Sequence, residues 1–404
     1  MTGWMIEPRD PLIVRDGRPF DPQPGVVATT LPFPFPSTTA GAARTRAGSK
    51  DGIFTAHHEL ALLQGIQVRG PLLVELQSDG QERLLGPAPS DALLLEGKGP
   101  LRCKQLLPLQ PLAHALVTPA PGPDGTQLAM VGPEEYEAAK AAKNLPTFWY
   151  WEQLVRWLLD PAQINVGLSR ESLGLGPLLM EQRMHVAMES DRRVAREGAL
   201  FSTIGLEFTT HALVPATHFA ALSQARRLAL WLDVEEHPTY QITEELASMG
   251  GERRLVTWRK SGLDLKTGNA PPGELCARIK EARACRLVLL TPACFQQGYL
   301  PALAQWTYGG VKPELRAALV QRPQVVSGWD LAAGKAKPTR RLAPAGSVYF
   351  LTFPSADSQA ITGWVEHFWM SCVSDEEQAR KDGFGLAVLG TWDGKLRSMR
   401  LKGA

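Results

Sequence analysis

The 404-residue chain has few cysteines, no long apolar run and almost no net charge. Each lack closes off a class of protein. Cysteine occurs five times, at 103, 276, 285, 294 and 372. An odd and sparse set in a chain of this size does not make a disulfide framework. The even spacing of Cys276, Cys285 and Cys294 puts them on different elements, so buried, inert thiols are expected rather than a metal centre. No stretch approaches the roughly 20 apolar residues of a membrane span. The opening MTGWMIEPRD has neither the charged nor the apolar part of a secretion signal, so a cytoplasmic, reduced protein without a membrane partner is expected. Forty-three Lys and Arg against 41 Asp and Glu leave a charge of +2. That excludes a nucleic-acid binder held by bulk charge and leaves room for a local basic track. There is no His-Glu-x-x-His, Gly-x-Ser-x-Gly or Cys-x-x-Cys, so no common hydrolase or zinc signature is present, and no cofactor or metal is expected.

What is present is an ordinary globular mix, 44% hydrophobic and 21% charged, with 37 Gly and 32 Pro. The length exceeds what one core usually supports, so two domains are expected, 1–260 and 261–404. Trp4 to Val14 is apolar, and Pro8 and Pro11 mark it as an edge or bent strand. Leu31 to Pro36 is proline-rich and extended. Ser37-Thr38 then stands before small residues as the N-cap of a helix. Residues 50–150 form an insertion, short-stranded and looped over 80–130, with a helix opening at Gly132-Pro133-Glu134-Glu135. Helical stripes run over Trp151 to Asp160, around Leu275 to Ala282 and over Ile361 to Phe368. Between about 183 and 208, Met184, Val186 and Met188 alternate with Arg183 and His185, and Ile204, Leu206 and Phe208 follow in kind. This predicts a long β-hairpin with a basic tip at Arg192, Arg193 and Arg196. Strands are expected at Arg253 to Arg259, Leu287 to Leu290, Ser347 to Thr352 and Phe384 to Leu389. The sum is an α+β chain with antiparallel sheets.

The residues that bear on chemistry are basic or glycine-rich. Gly250-Gly251 precedes Arg253 and Arg254. Lys335, Lys337, Arg340 and Arg341 form a basic run. Lys381 precedes Gly383-Phe384-Gly385, where glycine permits close approach of another backbone and free N–H groups to a phosphate. His185 beside Arg183 is the one candidate general base, with a hydrogen-bonded structural histidine as the competing reading. Eleven tryptophans leave room for exposed aromatic anchors, although Trp151 and Trp364 fall on core stripes.

Seven segments in order, IEPRDPLIVRDGRPF, LPFPFPSTTAGAAR, GGERR, LTPACF, SGWDL, PAGSVYF and GFGLAVLGTW, resemble the third subunit of Cmr-type (type III-B) CRISPR–Cas effector complexes. That group belongs to the RAMP superfamily and is related to the subunits that cap the 5′ end of a guide RNA. The resemblance implies two ferredoxin-like (RRM-like) domains with large insertions and a protruding hairpin. It further implies a non-catalytic subunit that holds the repeat-derived 5′ tag and docks the large polymerase-like subunit beside the backbone and small subunits. Carried onto this sequence, the RNA-binding residues are Arg15, Arg18, Ser37, Thr38, Arg44, Arg183, Arg192, Arg193, Gly250, Gly251, Arg253, Arg254, Lys335, Lys337, Arg340, Lys381, Gly383, Phe384 and Gly385. The superfamily's glycine loop often carries a Lys or Arg. Here Gly385 to Gly390 is wholly apolar, so phosphate contact there rests on backbone N–H groups and Lys381. Two other functions remain open: a metal-independent endoribonuclease built on His185 and Arg183, and a pure protein adaptor.

Overall fold

The computed structural model describes residues 1–15, 27–96, 100–111, 120–136, 139–165, 168–189, 191–210, 226–263, 270–327, 329–330, 335–336 and 338–401. Arg18 and Lys337 lie outside them.

Two compact units are woven from interleaved segments. The first comprises Met1–Arg83, Pro177–Leu263 and Val325–Arg340, and the second Leu84–Gly176, Asp264–Gln324 and Arg341–Ala404. This differs from a simple division near 260. Residues 84–176 belong with the C-terminal strands, and 325–340 with the N-terminal ones.

In the first unit, the strand Thr2–Pro8 pairs antiparallel with Arg226–Val234 on one side and Arg254–Lys260 on the other. Val68–Leu76 extends the sheet beyond Arg226–Val234, and Glu245–Met249 closes the other edge. Thr2–Pro8 is therefore central, not an edge strand. Its one proline stands at its last position, where no ladder bond is lost. The helix Pro36–Ala47 follows it and turns Thr39, Ala40, Ala43 and Ala47 inward, small residues that let it pack closely. Its start is at least two residues earlier than an N-cap at Ser37-Thr38 suggests. Phe35 is the N-cap, Pro36 takes the first turn, where a missing N–H costs nothing, and no side chain caps the end.

In the second unit, Ala284–Leu289 lies between Val348–Thr352 and Leu386–Thr391, with Glu314–Leu319 beyond the former and Ser371–Cys372 beyond the latter. Numbered along the chain, four strands of each unit share one spatial order: fourth, first, third, second. The first unit keeps a helix between its first and second strands. The second keeps Ser358–Phe368 between its third and fourth, while only the 3₁₀ turn Leu303–Trp306 follows its first strand.

A buried ion pair explains why 84–176 packs with the C-terminal strands. Arg286 sits mid-strand with no exposure, and its guanidinium pairs with the fully buried carboxylate of Asp91. It also donates to the carbonyls of Trp157 at 2.8 Å and Thr391 at 2.9 Å, while the Trp157 indole donates to Asp91 at 3.0 Å. Losing one partner of such a pair costs about 3–5 kcal/mol, because the other charge stays buried alone. Around it, Leu94, Leu101, Trp149, Ile164 and Leu173 form one apolar cluster with Trp157. Burial pushes the Cys103 and Cys285 thiols well above their ordinary range, which keeps them protonated and unreactive.

Two further expectations change. Glu135–Tyr136 is not helical but pairs in parallel with Arg400–Leu401. Proline and carboxylates are there, but no apolar stripe gives a helix a face to bury. Nine tryptophans are buried and Trp151 is half-buried, so none of the ten tryptophans whose side chains are described is an exposed anchor. Among the described residues, no helix is long and apolar enough to cross a membrane and no cluster of His, Cys, Asp or Glu could hold a metal ion.

Candidate nucleic-acid interface

Three segments of the first unit meet at Leu12–Arg15. Leu12 exchanges two backbone bonds with Leu206, at 2.9 and 2.7 Å, and so fixes the base of the hairpin. Val14 accepts from Leu31 at 2.8 Å, and Arg15 bridges to Thr30, which sets the entry to the proline-rich segment and its helix. From the third direction, the amide of Gly251 donates to the Ile13 carbonyl at 2.7 Å.

That last bond anchors a strained loop. Gly250 has φ +76°, and a Cβ there would stand 2.6 Å from the Ile13 oxygen. Glu252 and Arg253 also adopt left-handed φ, +55° and +50°, without being glycine. Such conformations cost on the order of 1–3 kcal/mol each and persist only where neighbours enforce them. The enforcing contacts are the Gly251 anchor behind and the strand Arg254–Lys260 ahead, which pairs Arg254 with Met249. The outcome is an exposed Arg253 side chain with no ion pair among the described residues. Arg254 is mostly buried and holds Glu252 at 2.8 Å.

The hairpin joins Leu179–Met188 to Ala195–Glu207. Its tip closes through Glu189 to Val194 at 2.9 Å and Arg193 to Glu189 at 2.8 Å, with Arg193 at φ +54°. Arg192 and Arg193 are exposed and without an ion pair among the described residues. Arg183 is exposed but paired with Glu181, whose carboxylate raises its already high pKa. His185 is held on both sides: Nε2 lies 2.9 Å from the Thr203 hydroxyl, and the ring stacks on Phe201. His185 Nε2 is thus engaged by Thr203, and the Arg183 charge beside it is paired with Glu181.

Other sequence candidates have work inside the fold. Arg44 directs two N–H groups at the Ile66 carbonyl, at 3.2 and 2.8 Å, and so caps the short helix Leu60–Gly65. Thr38 gives its amide to Phe35. Lys335 pairs through its backbone with Asp330, and exposed Arg340 opens a short strand that ends on buried Leu342. The second unit's glycine loop is fully committed. Gly383 donates to Arg380 at 3.1 Å, Phe384 to Ala379 at 2.9 Å, Gly385 to Pro292 at 2.8 Å and Leu386 to the Thr291 hydroxyl at 2.8 Å. None of those four amides is left for a phosphate. Phe384 is buried, and Lys381 pairs with Glu377 at 2.8 Å, which holds that carboxyl below the usual range. The backbone amides of Gly383, Phe384 and Gly385 are therefore already bonded within the fold. The close approach glycine permits is to Ser374, whose amide lies 2.8 Å from where a Gly385 Cβ would be.

The structure thus gathers Arg15, Gly250, Gly251, Arg253 and Arg254 about one crossing, with the base of the arm that carries Arg183, Arg192 and Arg193. Ile13 and Leu12, which hold the crossing, escape sequence reading because they act through backbone groups that carry no residue-type signal.

The sequence matches the family described as CRISPR-associated protein (Cas_Cmr3) over residues 4–392. Among solved structures it is similar to a chain of the Type III-B Cmr-beta complex bound to cognate target RNA, at 14% identity and TM-score 0.42, covering 86% of each chain. A second form of that complex, with cognate target RNA and AMPPnP, gives 12% identity and TM-score 0.43, again covering 86% of each chain. A chain of the Csm3–Csm4 subcomplex of the type III-A CRISPR–Cas interference complex gives 9% and 0.34, over 87% of this chain and 94% of that one. No curated protein matches the chain. Through the match over 4–392, the chain belongs to the Cas_Cmr3 family of CRISPR-associated proteins.

Proposed function

We propose that this chain is a non-catalytic, RNA-binding subunit of a type III-B CRISPR effector complex. It holds the repeat-derived 5′ tag of the guide RNA and docks the large polymerase-like subunit beside the backbone and small subunits. Each unit is read as a ferredoxin-like domain that keeps one of its two crossover helices. The observation that carries the reading is the set of exposed arginines without an ion pair among the described residues, Arg192, Arg193 and Arg253, on a hairpin tip and a strained loop within a Cas_Cmr3 chain. Guanidinium groups without a carboxylate partner bind phosphates without first breaking an ion pair. Single-stranded RNA is gripped through its backbone and splayed bases, which suits a projecting arm. The small net charge fits a subunit that gives one track to RNA and much of its surface to neighbours.

The test is fluorescence anisotropy with guide RNAs that carry or lack the 5′ tag, over a salt series, with and without the large subunit. Tag-dependent binding of intact RNA supports the reading. Cleavage of the RNA in EDTA would replace it with the nuclease, and no binding even beside the large subunit would leave the adaptor.

A further inference from the structure

Where the strand Thr2–Pro8 ends, one face of the first unit's sheet has an open corner. Thr257 is paired with Glu7 on one side and with Leu246 on the other, so these three side chains form one row across the sheet. The next row toward the strained loop holds Leu255 and its partner Ser248, beside Arg9, whose amide donates to the Leu255 carbonyl at 2.8 Å. Alternation sends Ile6, Val256 and Trp258 to the other face, where all three are buried. On the open face Leu246 is 54% exposed and Leu255 41%. The loop Gly250–Arg253 joins the strands of Leu246 and Leu255 at the end of that second row, so it borders the same corner.

Arg9 is exposed, and its side chain is oriented. Its Nε donates to the Thr257 hydroxyl at 2.8 Å, and both Nη groups are without a partner among the described residues. The nearest carboxylates along the chain are taken: Glu7 by Arg259, with Arg227 at 3.8 Å, and Asp10 by the Leu255 amide at 3.2 Å. A guanidinium fixed through Nε keeps its Nη pair as a fork, the geometry that meets two oxygens of one phosphate. The leucines beside it narrow the ligand further. Two are too few for the apolar centre of a protein interface, yet they give one base or ribose an apolar wall next to a phosphate grip. Sheets that read RNA commonly stack bases on aromatic side chains. This corner has none, so a base here packs on methyl groups.

We propose that this corner is a further RNA contact. Arg9 forks one phosphate of the guide's 5′ tag, Thr257 is its positioning residue, and Leu255 with Leu246 backs the adjacent base. The proposal rests on the RNA-binding role given above and deepens it. It carries the track from the strained loop onto the open sheet face.

The test uses the full chain and tagged guide RNA, by fluorescence anisotropy over a salt series, with binding to the large subunit followed in parallel. Arg9→Ala is expected to weaken RNA binding about tenfold and to flatten the log–log salt slope by about 0.7. Arg9→Lys keeps the charge and loses the fork, so a loss of about fivefold is expected with the slope unchanged. Thr257→Val is expected to cost about threefold by itself and nothing further beside Arg9→Ala, because it acts through that guanidinium. Leu246→Ser should also cost about threefold, without a change of slope. These side chains are exposed or half-buried, so urea midpoints should stay at the wild-type value. Unchanged affinity and slope in Arg9→Ala would overturn the proposal, as would an equal Thr257→Val loss in both backgrounds. Unchanged RNA affinity with weakened binding to the large subunit would give the corner to protein and overturn it too. Should Arg192→Ala/Arg193→Ala/Arg253→Ala weaken binding while Arg9→Ala does not, the corner alone fails. Absence of tag binding by the wild-type chain, even beside the large subunit, would sink the RNA-binding role itself, and the corner with it.

Discussion

In the loop Gly383–Gly385, four consecutive amides from Gly383 to Leu386 end on protein acceptors, and the nearby lysine is spent on Glu377. In the loop Gly250–Arg254, the glycines serve an anchor on Ile13, two non-glycine residues are held at left-handed φ, and Arg253 is left exposed, with no ion pair among the described residues. The two stretches look alike in sequence, glycines beside basic residues. What separates them is where the acceptors lie. A glycine loop folded against its own unit uses its donors up, whereas one pinned at a single point turns a charged side chain outward. The first is packed within the fold, and the second has the strain and the exposed cation that accompany binding sites.

The largest expected effect sharpens this contrast at Gly385. Gly385→Ala would meet the Ser374 amide at φ +80°, costing about 2–4 kcal/mol by urea denaturation. RNA affinity of the remaining folded protein should be unaltered. Gly250→Ala, pressed on the Ile13 oxygen, should cost about 1–3 kcal/mol and also weaken tag binding, because the loop can no longer present Arg253. Arg253→Ala combined with Arg192→Ala and Arg193→Ala should leave stability within about 0.5 kcal/mol. It should flatten the log–log salt slope of RNA binding by about 0.7 per lost contact. An unchanged slope removes these residues from the site.

The smallest effect belongs to Lys381. Lys381→Ala should leave RNA binding unchanged. The Glu377 carboxyl is depressed by its bond to Lys381, so the pair's contribution is present above the ordinary carboxylate range and is lost as pH falls through the depressed value. The variant should return the Glu377 titration, followed by NMR, to that ordinary range.

Much of this was legible from local pattern. The stripes at 151–159, 273–282 and 358–368 form helices, and the alternation after Arg183 forms a hairpin. What failed depends on distant partners. Pro133 and two glutamates imitate a helix start, yet a strand more than 250 residues away, Arg400–Leu401, claims Glu135 and Tyr136. Asp91 carries no mark that its counter-ion is Arg286, so the interleaving of the units is invisible along the chain. Alternation put Met184, Val186 and Met188 on one face but could not say that the face looks outward. The same gap hid the fate of Gly385 and Leu386, whose acceptors at Pro292 and Thr291 lie just past the end of another strand.

The most direct measurement is hydrogen exchange by mass spectrometry on the full chain, with and without tagged guide RNA. Peptides covering Glu252–Arg253 and Arg192–Arg193 are expected to gain protection, while those covering Gly383–Leu386, already bonded within the fold, are expected not to change. Protection confined to Gly383–Leu386, or none at either arginine segment while RNA is bound, would contradict the assignment of the RNA track to the strained loop and the hairpin.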